Sequence, residues 1–124
     1  MSKILLSINP EHVANILKGT KKVEYRKVKC TREDIEEIII YSTAPVKKVV
    51  AQVALKSILV DSPEKIWNIT KEISGITREF FDTYYHERKF AVAYELGDIK
   101  TFSKPKNLSD FGVSFAPQSF VYID

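Results

Sequence analysis

The chain contains a single cysteine, Cys30, in 124 residues. That excludes an internal disulfide and any zinc site built from paired cysteines, and it fits a reducing compartment. There are only two histidines, His12 and His86, far apart and with no third ligand at metal-binding spacing; no metal is expected. With four glycines in all, no Gly-rich phosphate loop is present, and neither a Ser/His/Asp order nor a paired-carboxylate motif stands out. No cofactor is expected. No apolar run is long enough to span a bilayer, and the N-terminus lacks a signal-peptide stretch. These absences point to a cytoplasmic protein with no membrane partner, expected to be a monomer.

The net charge is only +3, too little for binding driven by bulk charge. Its distribution is uneven. Lys18, Lys21, Lys22, Arg26, Lys27 and Lys29 stand against one acid, Glu24, and then come Glu33, Asp34, Glu36 and Glu37. Such a basic block can follow a nucleic-acid backbone; a solvated basic face is the plain alternative. Apolar residues make up 44% of the chain and aromatics 11%, enough for a globular core. The length suits one domain over residues 1–124.

Lys3–Ile8 reads as a first strand. Asn9-Pro10-Glu11 then starts a helix with an N-cap, a proline at the first turn and an acid, and Gly19 ends it. Strands are expected at 35–42, with its Ile38-Ile39-Ile40 run, at 46–61, at 90–102 and at 119–123. The alternation of the long 46–61 strand changes phase at Lys56-Ser57, which suggests a bulge. Ser62-Pro63-Glu64 and Thr77 start further helices, the last carrying Phe80, Phe81, Tyr84 and Tyr85. Strands outnumber helices, so the expected fold is α+β, a small curved or closed sheet decorated by short helices.

Gly19-Thr20-Lys21-Lys22-Val23-Glu24-Tyr25-Arg26 carries the chemistry. In a strand, alternate side chains share a face. Lys22, Glu24 and Arg26 then point one way, Val23 and Tyr25 face the core, and Lys21 can fold back over the same mouth. Two cations beside a carboxylate suit a polyanion or a polar planar base better than an apolar ligand. Lys21 can anchor phosphate or, desolvated, act as an amine. Glu24 can accept from an exocyclic amine or act as a general base, and Lys21 and Glu24 are the catalytic candidates. Arg26 reads as a phosphate or base fork, with an ion pair to Glu24 as the structural alternative. Ser7 and Ser42 lie at strand ends that can reach the mouth, and Gln118 beside Ser119 fits a base-edge reader or a loop-closing pair. Phe81, Tyr84 and Tyr85 can stack on a base or pack on the sheet; Trp67 and Tyr25 read as core.

Gly19, Lys21, Glu24 and Arg26 match the G-x-K-x-x-E-x-R signature of the ASCH domain, and the order of elements along the chain is similar to that family, which belongs to the PUA-like superfamily. The resemblance implies a small PUA-like β-barrel of about five to six strands, with the signature residues lining a cleft at its mouth. It implies RNA or a nucleotide-like ligand as partner, and a place in RNA metabolism or in transcription or translation regulation. One ASCH branch resembles an N4-acetylcytidine amidohydrolase that uses a lysine, a threonine and a glutamate. Its lysine corresponds to Lys21, while Glu24 stands where that branch has its threonine. Other ASCH proteins look like ribonucleases, and a protein-interaction co-regulator is a third expectation.

Overall fold

The computed structural model describes residues 2–123. Its elements in chain order are β1 (Ser2–Ile8), α1 (Pro10–Lys18), β2 (Val23–Arg26), β3 (Ile35–Ser42), β4 (Lys48–Asp61), α2 (Pro63–Thr70), α3 (Arg78–Tyr84), β5 (Ala91–Lys106) and β6 (Phe120–Ile123), with short 3-10 turns at Lys71–Ile73 and Leu108–Phe111. The six strands form one open sheet in the order β2-β5-β4-β3-β1-β6. Only β1 and β3 run parallel; the other pairs are antiparallel. The fold is α+β and PUA-like, with a loose barrel whose edge strands β2 and β6 are not hydrogen-bonded to each other.

The helix starts follow their local chemistry. The Asn9 side chain accepts from the Glu11 amide at 2.9 Å, and Pro10 occupies the first turn. Ser62 caps α2 and Thr77 caps α3 in the same manner. Each hydroxyl or amide oxygen satisfies a helix N–H that has no partner within the helix.

Both faces of the central strands are covered, which explains their unbroken apolar runs. In β3, Ile38 and Ile40 enter the main core with Ile4, Leu6 and Ile8 of β1, whereas Ile39 and Tyr41 pack with Leu5 on the other side. In β5, Val92, Tyr94 and Leu96 belong to the main core, while Ala91 and Ala93 meet Phe81, Tyr85 and Ile66 beneath α2 and α3. The edge strand β2 is short and pairs Glu24 with Tyr94 and Arg26 with Val92. Directly paired residues share a side of the sheet. Glu24 and Arg26 therefore look into the curled interior, and Val23 and Tyr25 look into the helix-covered cluster.

The sheet bends where its longest pair loses register. The β4–β5 ladder shifts between Val53 and Leu55 and again between Leu55 and Ser57, the place where the sequence alternation changes phase. Among the described residues, no helix is long and apolar enough to cross a membrane.

Candidate functional site

Gly19 adopts the left-handed conformation with φ 86° and its N–H bonds back to the end of α1, a backbone state open to glycine at little cost. The amides of Thr20 and Lys21 then both bond to the Asn15 carbonyl at 3.1 Å. This tight reversal drops Lys21 beside β2 instead of into solvent. Its side chain is 2% exposed. Nζ donates to the Ser74 carbonyl at 2.9 Å, lies 4.0 Å from Glu24 Oε1 and sits 4.9 Å from the centre of the Tyr25 ring.

The loop that covers Lys21 depends on a second glycine. Gly75 has φ +66°, and a Cβ built there would stand 2.4 Å from the Lys21 Cβ. Only a residue without a side chain lets the segment after α2 close over the lysine. Burial holds the Lys21 ammonium below the usual lysine range, opposed in part by the Glu24 carboxylate.

Glu24 is clamped from the other side. Arg26 NH1 reaches Glu24 Oε2 at 3.2 Å and also donates to the Ser7 carbonyl at 3.1 Å, while NH2 donates to the Ser119 carbonyl at 3.0 Å. Three of the five guanidinium donors are thus committed within the protein. Arg26 ties β2 to β1 and to the segment entering β6, and it orients Glu24. Oε1 of Glu24 makes no hydrogen bond among the described residues and keeps lone pairs for a ligand.

These groups form one wall of a cavity of about 170 Å³ that also takes in Ile8, Asn9, His12, Tyr25, Ile76, Phe80 and Tyr84. His12 comes from the first turn of α1, with its ring edge-on to Phe80 at 5.3 Å between centroids. Burial lowers its pKa, with Glu24 acting in the opposite direction, which favours the neutral imidazole. Among the described residues its buried Nδ1 has no hydrogen-bond partner, and neither has the buried Ser7 Oγ. Phe80 and Tyr84, from α3, supply the aromatic wall, and Lys27 lies 4.7 Å over the Tyr84 ring.

The structure brings Lys21, Glu24 and Arg26 together in this cleft, with Ser7 behind Arg26. Lys22 lies outside it. Its amide donates to the Ile73 carbonyl and its own carbonyl accepts from Leu96, which turns the exposed side chain into a neighbouring groove. Ser42 is buried at the end of β3, opposite Ile8 in register, and does not line the cleft. Gln118 is exposed and does not line the cleft; from that segment the Ser119 carbonyl accepts from Arg26. Phe81 and Tyr85 are core, and Trp67 packs against Phe81. Tyr25 is core and cleft wall at once, its hydroxyl donating to Thr70 at 2.6 Å.

Sequence reasoning missed His12 and Phe80 as cleft residues; of the aromatics that could stack on a base or pack on the sheet, Tyr84 is the one that lines the cleft. A usable signal existed for His12: a helix leaving β1 and returning to the motif must set its first turn above that motif. Among the described residues no group of three or more His, Cys, Asp or Glu side chains is placed to hold a metal.

The curled, helix-decorated sheet, with buried Lys21 and Glu24 and partly buried Arg26 at its open edge, is that of an ASCH domain of the PUA-like class. ASCH from Zymomonas mobilis is similar to this chain with a TM-score of 0.88 and 25% identity, covering 98% of this chain and 87% of that one. Residues 2–118 match the family model described as "Domain of unknown function (DUF365)", and the chain belongs to that family, which is of the ASCH type. Two curated relatives come from Ureaplasma parvum. The chain is 30% identical over 121 residues to ATP synthase subunit alpha and 25% identical over 122 residues to large ribosomal subunit protein uL22. It spans 15% of the first and 39% of the second, so the matching segment is a minor part of each.

Proposed function

We propose that the cleft binds RNA or a nucleotide-like ligand by taking up one unstacked base. One observation carries this: the same small cavity joins an aromatic wall, Phe80 and Tyr84, to hydrogen-bonding groups of Lys21, Glu24 and His12. A base needs both a π surface and partners along its edge. Glu24 Oε1 is set to accept from a ring or exocyclic N–H, Lys21 Nζ to donate to a carbonyl or ring nitrogen, and His12 Nδ1 is left for the ligand. A phosphate is a poor occupant, because Glu24 would face it across a desolvated gap. At about 170 Å³ the cavity is smaller than a drug-sized site, for which about 300 Å³ is the usual lower bound; it suits one heterocycle. The names of the two curated relatives point in different directions, so the geometry carries the reading.

The test is a binding titration of nucleosides and short single-stranded RNA by the parent protein, Tyr84→Ala and Glu24→Gln. Loss of one stacking partner is expected to cost about 1–3 kcal/mol, and Glu24→Gln should change which base is preferred. A parent protein that binds none of these ligands sinks the proposal.

One observation favours a catalytic role on the same site. Lys21 is buried, its pKa is lowered, and it lies within reach of Glu24, as an activated amine requires. Hydrolysis of a modified nucleoside or of RNA, lost in Lys21→Ala, would establish this second reading.

A further inference from the structure

The bulge in β4 does more than bend the sheet. Two register shifts within four residues turn Lys56 outward as an exposed side chain between half-buried neighbours, and bulges commonly re-aim a side chain in this way. Across from it on β5 stands Gly97, where a Cβ would lie 3.1 Å from the Lys56 Cγ. The glycine lets the lysine stem lie across β5. Lys56 and Lys22 flank a groove of about 590 Å³.

This groove shares Lys21 with the base cleft. Beyond Lys56 a second depression of about 260 Å³ continues to Lys29 and shares Lys56 with the groove. Cleft, groove and depression are therefore consecutive. None of the ion pairs among the described residues involves Lys22, Lys29 or Lys56. Asp98 in the groove and Glu33 in the depression are the acids along this line.

We infer that the partner is a strand rather than a free nucleotide: single-stranded RNA whose base fills the cleft and whose backbone follows the groove, with Lys22 and Lys56 on successive phosphates. The inference rests on the base-binding reading of the cleft. It explains why Lys22, Lys56 and Lys29 lie outside the cavity while Lys21 and Arg26 inside it are paired with Glu24. The base is read in the cleft, and the phosphates follow the exposed groove, where lysine is an effective point charge.

The experiment is fluorescence anisotropy of a short labelled RNA oligonucleotide across a salt series. It compares the parent protein, Tyr84→Ala, and a double variant carrying Lys22→Gln and Lys56→Gln. Two lost phosphate contacts should make the slope of log K against log salt shallower by about 1.4, which is about a 25-fold loss at 0.1 M salt that fades towards 1 M. Tyr84→Ala should weaken binding with the parent slope. A double variant with the parent slope, beside a weakened Tyr84→Ala, overturns the strand path and leaves the base cleft standing. Parent-like binding by both variants overturns the base reading itself. Polyglutamate that displaces the RNA at equal charge would show that the groove reads charge alone, and it overturns the assignment to RNA.

Discussion

Lys21 is the residue on which the cleft turns. A buried ammonium is tolerated when its hydrogen bonds and a counter-charge offset the lost hydration. Here the Ser74 carbonyl and Glu24 supply both. Burial dominates the balance and lowers the pKa from the usual 10.5. Below the lowered value the folded protein carries the ammonium; as pH rises through it, the charge is lost in the folded site before the unfolded chain would lose it at 10.5. The stability cost of burying the charge is therefore relieved on the alkaline side, while any ligand held by the ammonium is released there. Affinity for the base ligand should fall at a pH below the normal lysine range, and this alkaline limb should be missing from Lys21→Met. A limb that persists in Lys21→Met assigns the titration to another group.

At the scale of elements, Arg26 does what the backbone does not. The sheet ends in β2 on one side and β6 on the other, and the guanidinium, carried by β2, bonds the carbonyls of Ser7 in β1 and Ser119 before β6, at the other end of the curl. Arg26→Ala should destabilise the protein by about 3 kcal/mol, since Glu24 is left buried with only the more distant Lys21. The loss should be local in hydrogen exchange, with amides of β6 and β2 losing protection and those of β3 and β4 keeping theirs. Uniform loss would mean that Arg26 acts on the core and not on the edges. Strand alternation was enough to place Glu24 and Arg26 on one face, and the two proline-led helix starts were equally legible, because each depends on neighbours in sequence. The position of Lys22 was not. Its exposure follows from bonds to Ile73 and Leu96, residues remote in the chain. Phe80 was hidden, and Tyr84 was not separable from Phe81 and Tyr85, for a related reason: α3 carries aromatics on its core face and on its cleft face alike, so periodicity alone cannot divide them.

The molecule as a whole is built from strands that serve two cores at once. In β1 and β3, alternate residues enter the main core and the cluster beneath the C-terminal segment. In β5, alternate residues enter the main core and the helix-covered cluster. None of these clusters can melt without exposing the back of another, so we propose that the chain unfolds as a single domain. Trp67 provides a local probe, because it is the sole tryptophan and packs against Phe81 in the helix-covered cluster. Far-UV circular dichroism reports the sheet instead. Urea transitions followed by the two signals should coincide in midpoint and slope, with a slope of about 1–3 kcal/mol per molar. Tryptophan fluorescence that changes at lower urea than the sheet would show α2 and α3 to be a separately melting cover. The segment from Ser74 to Ile76 would then lift from Lys21 before the sheet unfolds, and the cleft would exist only while that cover is closed.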